Sequence, residues 1–100
     1  MKTIIQELNK AFESRVRLGI MSALMVNETL DFNTLKELLD VTDGNLASHS
    51  RALEELNYLR VEKSFLGRKP HTRFKITDPG REAFKKHLLA LEKLLWQKTN

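Results

Sequence analysis

A chain of 100 residues has room for one domain with a single modest core, in which about 65% of the unfolded surface can be buried. Its 41% apolar and 30% charged residues are ordinary for a soluble globular protein, and 4 Gly with 2 Pro exclude collagen-like and low-complexity chains. The absence of cysteine excludes disulfide scaffolds, thiolate zinc sites and cysteine nucleophiles.

The formal charge of +4 is unevenly placed. Between Arg60 and Lys75 stand six basic residues (Arg60, Lys63, Arg68, Lys69, Arg73, Lys75) against one acid, Glu62, which leaves the rest of the chain at −1. The longest mostly apolar stretch, Leu18 to Val26, falls far short of the ~18 residues that span a bilayer, so no membrane partner is expected. MKTIIQELNK at the start breaks any apolar run with Gln, Glu, Asn and Lys, so a secretory signal is not expected and the cytoplasm is the expected compartment.

Ile4, Ile5, Leu8 and Phe12 recur at helical spacing and predict a first short helix, about 3–12. Ser14 is a suitable cap for a second helix whose stripe is Val16, Ile20, Met21, Leu24 and Met25. Glu28 to Phe32 alternates briefly, as a short strand would. Asn33 then reads as the cap of a helix over 34–40, with Leu35, Leu38 and Leu39 facing inward.

Asp43-Gly44 resembles a hairpin turn, but the next residues keep a helical period: Leu46, Leu53, Leu56 and Asn57 share a face. Thr42 is the better assignment as N-cap, with Asp43 at the positive end of the helix dipole. Beyond Leu59 the period changes to two. Val61, Lys63 and Phe65 share one side of a strand, and Thr72, Phe74 and Ile76 one side of another, joined through Gly67-Arg-Lys-Pro70. Asp78 as cap with Pro79 at the first position opens a last helix over about 79–97. Its Phe84, Leu88, Leu91 and Leu95 step like a coiled-coil seam. The whole is mainly α with a small β-hairpin (α+β), in the order α-α-(β)-α-α-β-β-α, as one domain over 1–100.

A helix, tight turn and helix followed at once by a basic hairpin suits duplex DNA. An α-helix fits the major groove, where base edges are distinguishable, and a cationic hairpin beside it reaches phosphates or an adjacent groove. With Leu46 and Leu53 inward, steps of about 100° per residue put Gly44, Ala47, Ser48 and Arg51 outward and Asn45 on the flank. Asn pairs with adenine, Arg with guanine, Ser with bases or phosphate, and Ala with a thymine methyl. Thr34 and Thr42, at the starts of the two helices, are assigned to backbone phosphates. In the hairpin, Lys63, Arg68, Lys69, His71 and Arg73 are assigned to DNA. Arg68 at the tip is best suited to a narrow, negative groove. The competing reading of a basic hairpin is protection of an edge strand from aggregation.

The segments SRVRLGIMSAL, FNTLKELLDVTDGNLASHSRALEELNYLRVEK and GRKPHTRFKITDPGREAF resemble winged helix-turn-helix transcriptional regulators of the MarR/ArsR kind. The similarity is strongest to the short single-domain winged-helix DNA-binding proteins, and it spans roughly three quarters of the chain. It implies a homodimer on a roughly palindromic operator, recognition helices in major grooves and wings at flanking minor grooves. Carried over by position, Gly44, Asn45, Ala47, Ser48 and Arg51 are the recognition residues, and Arg68, Lys69, His71 and Arg73 belong to the wing. A thiolate metal sensor is excluded by the missing cysteines; the sequence leaves a small-molecule effector open.

Phe84, Leu88, Leu91, Leu95 and Trp96 form too apolar a set for the wet face of a monomer's terminal helix. A two-fold dimer joined by Ile4, Ile5, Leu8, Leu88, Leu91, Leu95 and Trp96 is the expected solution; packing on the chain's own first helix is the alternative. His49 reads as a half-buried, hydrogen-bonded histidine. His71 and His87 have no metal-ligand spacing, so neither metal nor cofactor is expected. Asn27-Glu-Thr29 is a chance glycosylation match. Arg15 and Arg17 suit either phosphates or a surface acid such as Glu13. No nucleophile-base pairing or phosphate-cradling glycine loop appears, so an enzyme is not expected. Two rivals to DNA binding are a winged-helix module that binds protein, and an RNA-binding wing using Phe65, Phe74 or Tyr58, of which the two Phe read as core.

Overall fold

The computed structural model of the chain describes residues 1–97. Its elements run α1 (Lys2–Glu7), a 3-10 turn (Lys10–Phe12), α2 (Arg15–Val26), β1 (Leu30–Asp31), α3 (Phe32–Leu39), α4 (Asp43–Glu55), β2 (Leu59–Leu66), β3 (Lys69–Ile76) and α5 (Asp78–Leu94). The three strands form one antiparallel sheet in the order β1-β3-β2. The expected α+β order holds throughout, with a 3-10 turn following the first helix.

That first helix is shorter than the spacing predicts. Leu8 leaves helical geometry (φ −66°, ψ 139°) and Asn9 opens the separate 3-10 turn. Asn9 competes with helix continuation by bonding locally: its side-chain oxygen accepts the Ala11 N–H at 2.9 Å. Its own N–H donates to His87 Nδ1 at 2.9 Å, which pins the corner to α5.

Two caps also shift. Asp31, not Asn33, caps α3 by accepting the Thr34 N–H at 2.7 Å. Thr77, not Asp78, caps α5: its hydroxyl accepts the Gly80 N–H at 2.9 Å and donates to the Asn57 carbonyl at 2.6 Å. Asp78 and Pro79 become the first two helical positions, where acid and proline both belong. Ser14 caps α2 as expected, its hydroxyl accepting the Arg17 N–H.

The core joins the inner faces of α2, α3, α4 and α5 to the base of the sheet. Phe12, Ile20, Leu24, Leu35, Leu46, Leu53, Phe74 and Phe84 are almost completely buried. Phe84 meets Phe12 edge-on at 5.2 Å, a favourable aromatic geometry. At the sheet, Leu59 pairs with Ile76 and Val61 with Phe74, so the apolar face of the hairpin starts inside the core. Leu38, expected to face inward, is 61% exposed; Leu35 and Leu39 make the contact instead. No described helix is long and apolar enough to cross a membrane.

Candidate nucleic-acid interface

The helix-turn-helix is α3, a tight turn and α4. Asp40 takes the left-handed conformation (φ 51°) that ends α3, and Thr42 Oγ1 accepts the Asn45 N–H at 3.1 Å to start α4. An ion pair of 2.7 Å between Lys36 and Asp43 bridges the turn. The inner face of α4 is Leu46, Ser50 and Leu53. Ser50 replaces the expected Leu56 and Asn57: its hydroxyl donates to the Ala47 carbonyl, so it is buried at no hydrogen-bonding cost. Leu56 is the half-exposed C-cap, and Asn57 lies beyond it with φ 62°.

Gly44, Asn45, Ala47, Ser48 and Arg51 are all exposed on the opposite face. A Cβ on Gly44 would meet open space, so no packing within the chain demands glycine there. Thr42 is exposed as well. Thr34 is exposed, but its N–H is taken by Asp31, whose carboxyl is held below its ordinary value by that bond, by the Thr34 hydroxyl and by nearby His71. The Thr34 N–H is therefore already occupied within the chain. His49 is half-buried and accepts from Arg17 Nε at 2.9 Å. Arg17's partner is thus on α4 rather than Glu13, and the bond ties α2 to α4.

The wing is β2 and β3. A two-residue turn, Gly67-Arg68, closes it, with Gly67 at φ 64°; the strands extend to Lys69 and Pro70, which the sequence places in the turn. Residues 63–70 are all exposed. Val61, Lys63 and Thr72 line an open cleft with Ala47, Arg51 and Glu54 of α4, so Arg51 and Lys63 converge on one space. Arg68 and Lys69 stand at the tip. His71 and Arg73 lie on the other side of the hairpin by alternation. Arg73 is not a free cation: Glu62, its cross-strand neighbour, binds it at 3.0 Å. His71 is half-buried near Asp31 and Asn33.

Phe65 departs furthest from its expected place. It reads as core because it shares a face with Val61, yet it is 71% exposed. Leu66 beside it is 63% exposed. Period two assigns a face; it cannot tell how far along the strand the body of the protein reaches.

A helix-turn-helix whose second helix shows a polar outer face beside a cationic hairpin matches a known family model, described as winged helix DNA-binding domain, over residues 16–95. The chain belongs to the winged helix DNA-binding family. An uncharacterised protein of Methanocaldococcus jannaschii is 41% identical over 85 residues, covering 85% of this chain and 92% of that one. The solved structure of a transcriptional regulator homologue from Pyrococcus horikoshii OT3 is similar with a TM-score of 0.83 and 35% identity, over 94% of this chain and 91% of that chain. A MarR family transcriptional regulator from Streptomyces coelicolor, solved in complex with DNA, shares the fold. There the TM-score is 0.68 at 16% identity, over 99% of this chain and 69% of that one.

This winged-helix chain carries a second exposed surface at its termini. α1 packs along α5. The inner face of α5 is Gly80, Phe84, His87 and Ala90 rather than the expected seam of Phe84, Leu88, Leu91 and Leu95. The seam residues other than Phe84 face out: Leu88 is 42%, Leu91 39% and Leu95 79% exposed, with Trp96 at 75%. On α1, Ile5 is half-exposed, while Ile4 and Leu8 are half-buried. His87 is buried, and burial holds its imidazole below its ordinary pKa against the opposing pull of Glu13. Its Nδ1 lone pair accepts from Asn9, whose side chain donates to the Tyr58 hydroxyl at 3.0 Å. Among the described residues no cluster of His, Asp or Glu is placed to hold a metal ion.

Proposed function

We propose that the protein is a sequence-specific regulator of transcription that binds double-stranded DNA as a homodimer, by occupancy of a roughly palindromic operator and without chemistry. The observation that carries this is the convergence of Arg51 on α4 and Lys63 on the wing upon one open cleft, with the exposed Arg68 and Lys69 further along the same hairpin. In this reading α4 lies in the major groove, where Asn45, Ala47, Ser48 and Arg51 meet base edges and Gly44 admits close approach. Thr42 meets a phosphate, and Arg68 and Lys69 reach the flanking minor groove.

The dimer is supported by the exposed apolar residues Leu88 and Leu91 on α5 and Leu95 and Trp96 at its end, together with Ile5 on α1, which packs along α5. Two copies roughly double the phosphate contacts and set the half-sites about one helical turn, or a multiple, apart. Arg73 contributes little, being held by Glu62.

Fluorescence anisotropy with selected and random duplexes across a salt series, with mass measured in parallel, tests the reading. The wild type should prefer the selected duplex and form a dimer. Arg68→Ala and Lys69→Ala should weaken binding to every duplex and reduce the salt slope by about one unit per lost phosphate contact. An unchanged slope in the double variant removes the wing from the interface.

A further inference from the structure

The far end of the wing carries apolar side chains that the fold does not use. Val61 packs on the core, but four residues further along the same face Phe65 is 71% exposed. Its cross-strand partner is Pro70, also exposed, so an aromatic ring and a pyrrolidine stand side by side at the tip. By alternation this pair continues the face that carries Lys63 and Thr72, the face turned toward α4. The hairpin then closes in two residues, the first a glycine with no side chain to widen it. From Lys63 to Leu66 the exposed hairpin projects by about 10 Å at strand rise.

Solubility and edge protection call for charge at such a tip, and an exposed ring there is a liability unless it meets a partner. The neighbours define that partner. Lys63, Arg68 and Lys69 flank the pair and no acid occurs from 63 to 70. Asp31 beside Pro70 and Glu54 across the cleft from Lys63 belong to β1 and α4, so the tip itself is purely cationic and fits a polyanion that also offers apolar surface. The minor groove of DNA does both, with phosphate walls and stacked bases beneath. Apolar wedges of Phe, Leu or Pro are the recurrent means by which proteins pry base steps apart from that side.

We propose that the Phe65–Pro70 pair is an apolar wedge that enters the minor groove beside the recognition-helix contact and partly unstacks one base step, with Arg68 and Lys69 along the groove walls. The inference rests on the DNA-binding reading and adds a specificity determinant to it. Pyrimidine–purine steps such as TA unstack at least cost, so the wedge favours them at a position where no hydrogen bond reads the base. The duplex bends toward its major groove, closing around α4.

The test uses the full-length protein and its selected duplex, with 2-aminopurine in place of adenine at successive steps. The wild type should give a severalfold fluorescence rise at a step flanking the α4 contact. Phe65→Ser should abolish the rise and weaken binding by about tenfold, within the range of one base–aromatic stack, at an unchanged salt slope. Phe65→Leu should retain most of the rise, and Arg68→Ala should retain it while lowering the slope. Phe65 is exposed, so these variants keep the fold, as an unchanged melting curve would verify. Tight binding with no rise at any step, or an equal rise in Phe65→Ser, overturns the wedge and leaves the DNA-binding reading intact. Failure to bind any duplex overturns both. Dark steps together with Phe65-dependent sedimentation on phosphatidylglycerol vesicles would assign the tip to a lipid surface and overturn the wedge.

Discussion

Helices α4 and α5 are built alike on the inside and oppositely on the outside. Each buries a narrow stripe that includes one polar member, Ser50 beside Leu46 and Leu53 in α4 and His87 beside Gly80, Phe84 and Ala90 in α5, and each polar group has a hydrogen-bond partner. Outward, α4 shows Gly44, Asn45, Ala47, Ser48 and Arg51, small or polar and open to contact, whereas α5 shows Leu88, Leu91 and Leu95. A polar outer face costs nothing in water and can read base edges; an apolar one is costly in water until a second protein surface covers it. Under the proposed function the contrast separates two partners, nucleic acid for α4 and a second subunit for α5.

The largest expected effect comes from breaking the inside of α5. Gly80 in its first turn lies against the Tyr58 backbone, and a Cβ there would collide with the Tyr58 carbonyl oxygen. Gly80→Ala should cost about 3 kcal/mol or more, because backbone on both sides must move. Thermal denaturation should read this as a fall in Tm of about 15 °C. Breaking the outside of α5 comes next. Leu88→Asp with Leu91→Asp should leave the melting curve of the subunit nearly intact, yield a monomer by light scattering, and weaken operator binding by about a hundredfold through lost bivalency. A dimer that survives both changes would return this face to the solvent.

The outside of α4 is expected to respond more gently. Arg51→Ala should reduce discrimination between selected and random duplexes by about 1–3 kcal/mol, as competition anisotropy would measure. Equal losses on both duplexes would displace Arg51 from base recognition. The smallest effect concerns His87. Its folded pKa lies below the ordinary 6.5, so the folded state disfavours the proton that the unfolded chain takes up. Stability is full above about pH 6.5 and is lost as pH falls toward the lowered folded value, where the Asn9 N–H loses its acceptor. A melting series from neutral to mildly acidic pH should show this slope, and His87→Gln should flatten it.

Much of the fold is legible in the sequence because period and punctuation agree: Ser14, Thr42 and the change to alternation at Leu59 mark boundaries that the structure keeps. The exposed face of α4 is legible too, since helical geometry alone sets Gly44, Ala47, Ser48 and Arg51 opposite Leu46 and Leu53. Choices between adjacent capping residues are not. Thr77 prevails over Asp78 because its hydroxyl can serve Gly80 and Asn57 at once, a partnership across twenty residues that no local pattern records. His87 escapes recognition as a core residue for the same reason: its partner, Asn9, lies at the other end of the chain. At the wing, charge is legible but pairing is not. Glu62 and Arg73 face each other through strand register, and Phe65 outruns the body that its face-mate Val61 still touches.

Asn57 sits between α4 and β2 in the left-handed conformation, and its carbonyl is held by Thr77. One joint therefore links α4 to the base of the hairpin, and it is locked from the far side by the start of α5. In the proposed DNA complex such a joint acts as a caliper, with α4 and the hairpin as its jaws. New side chains on the jaws would then change which bases are preferred, while the joint keeps their span.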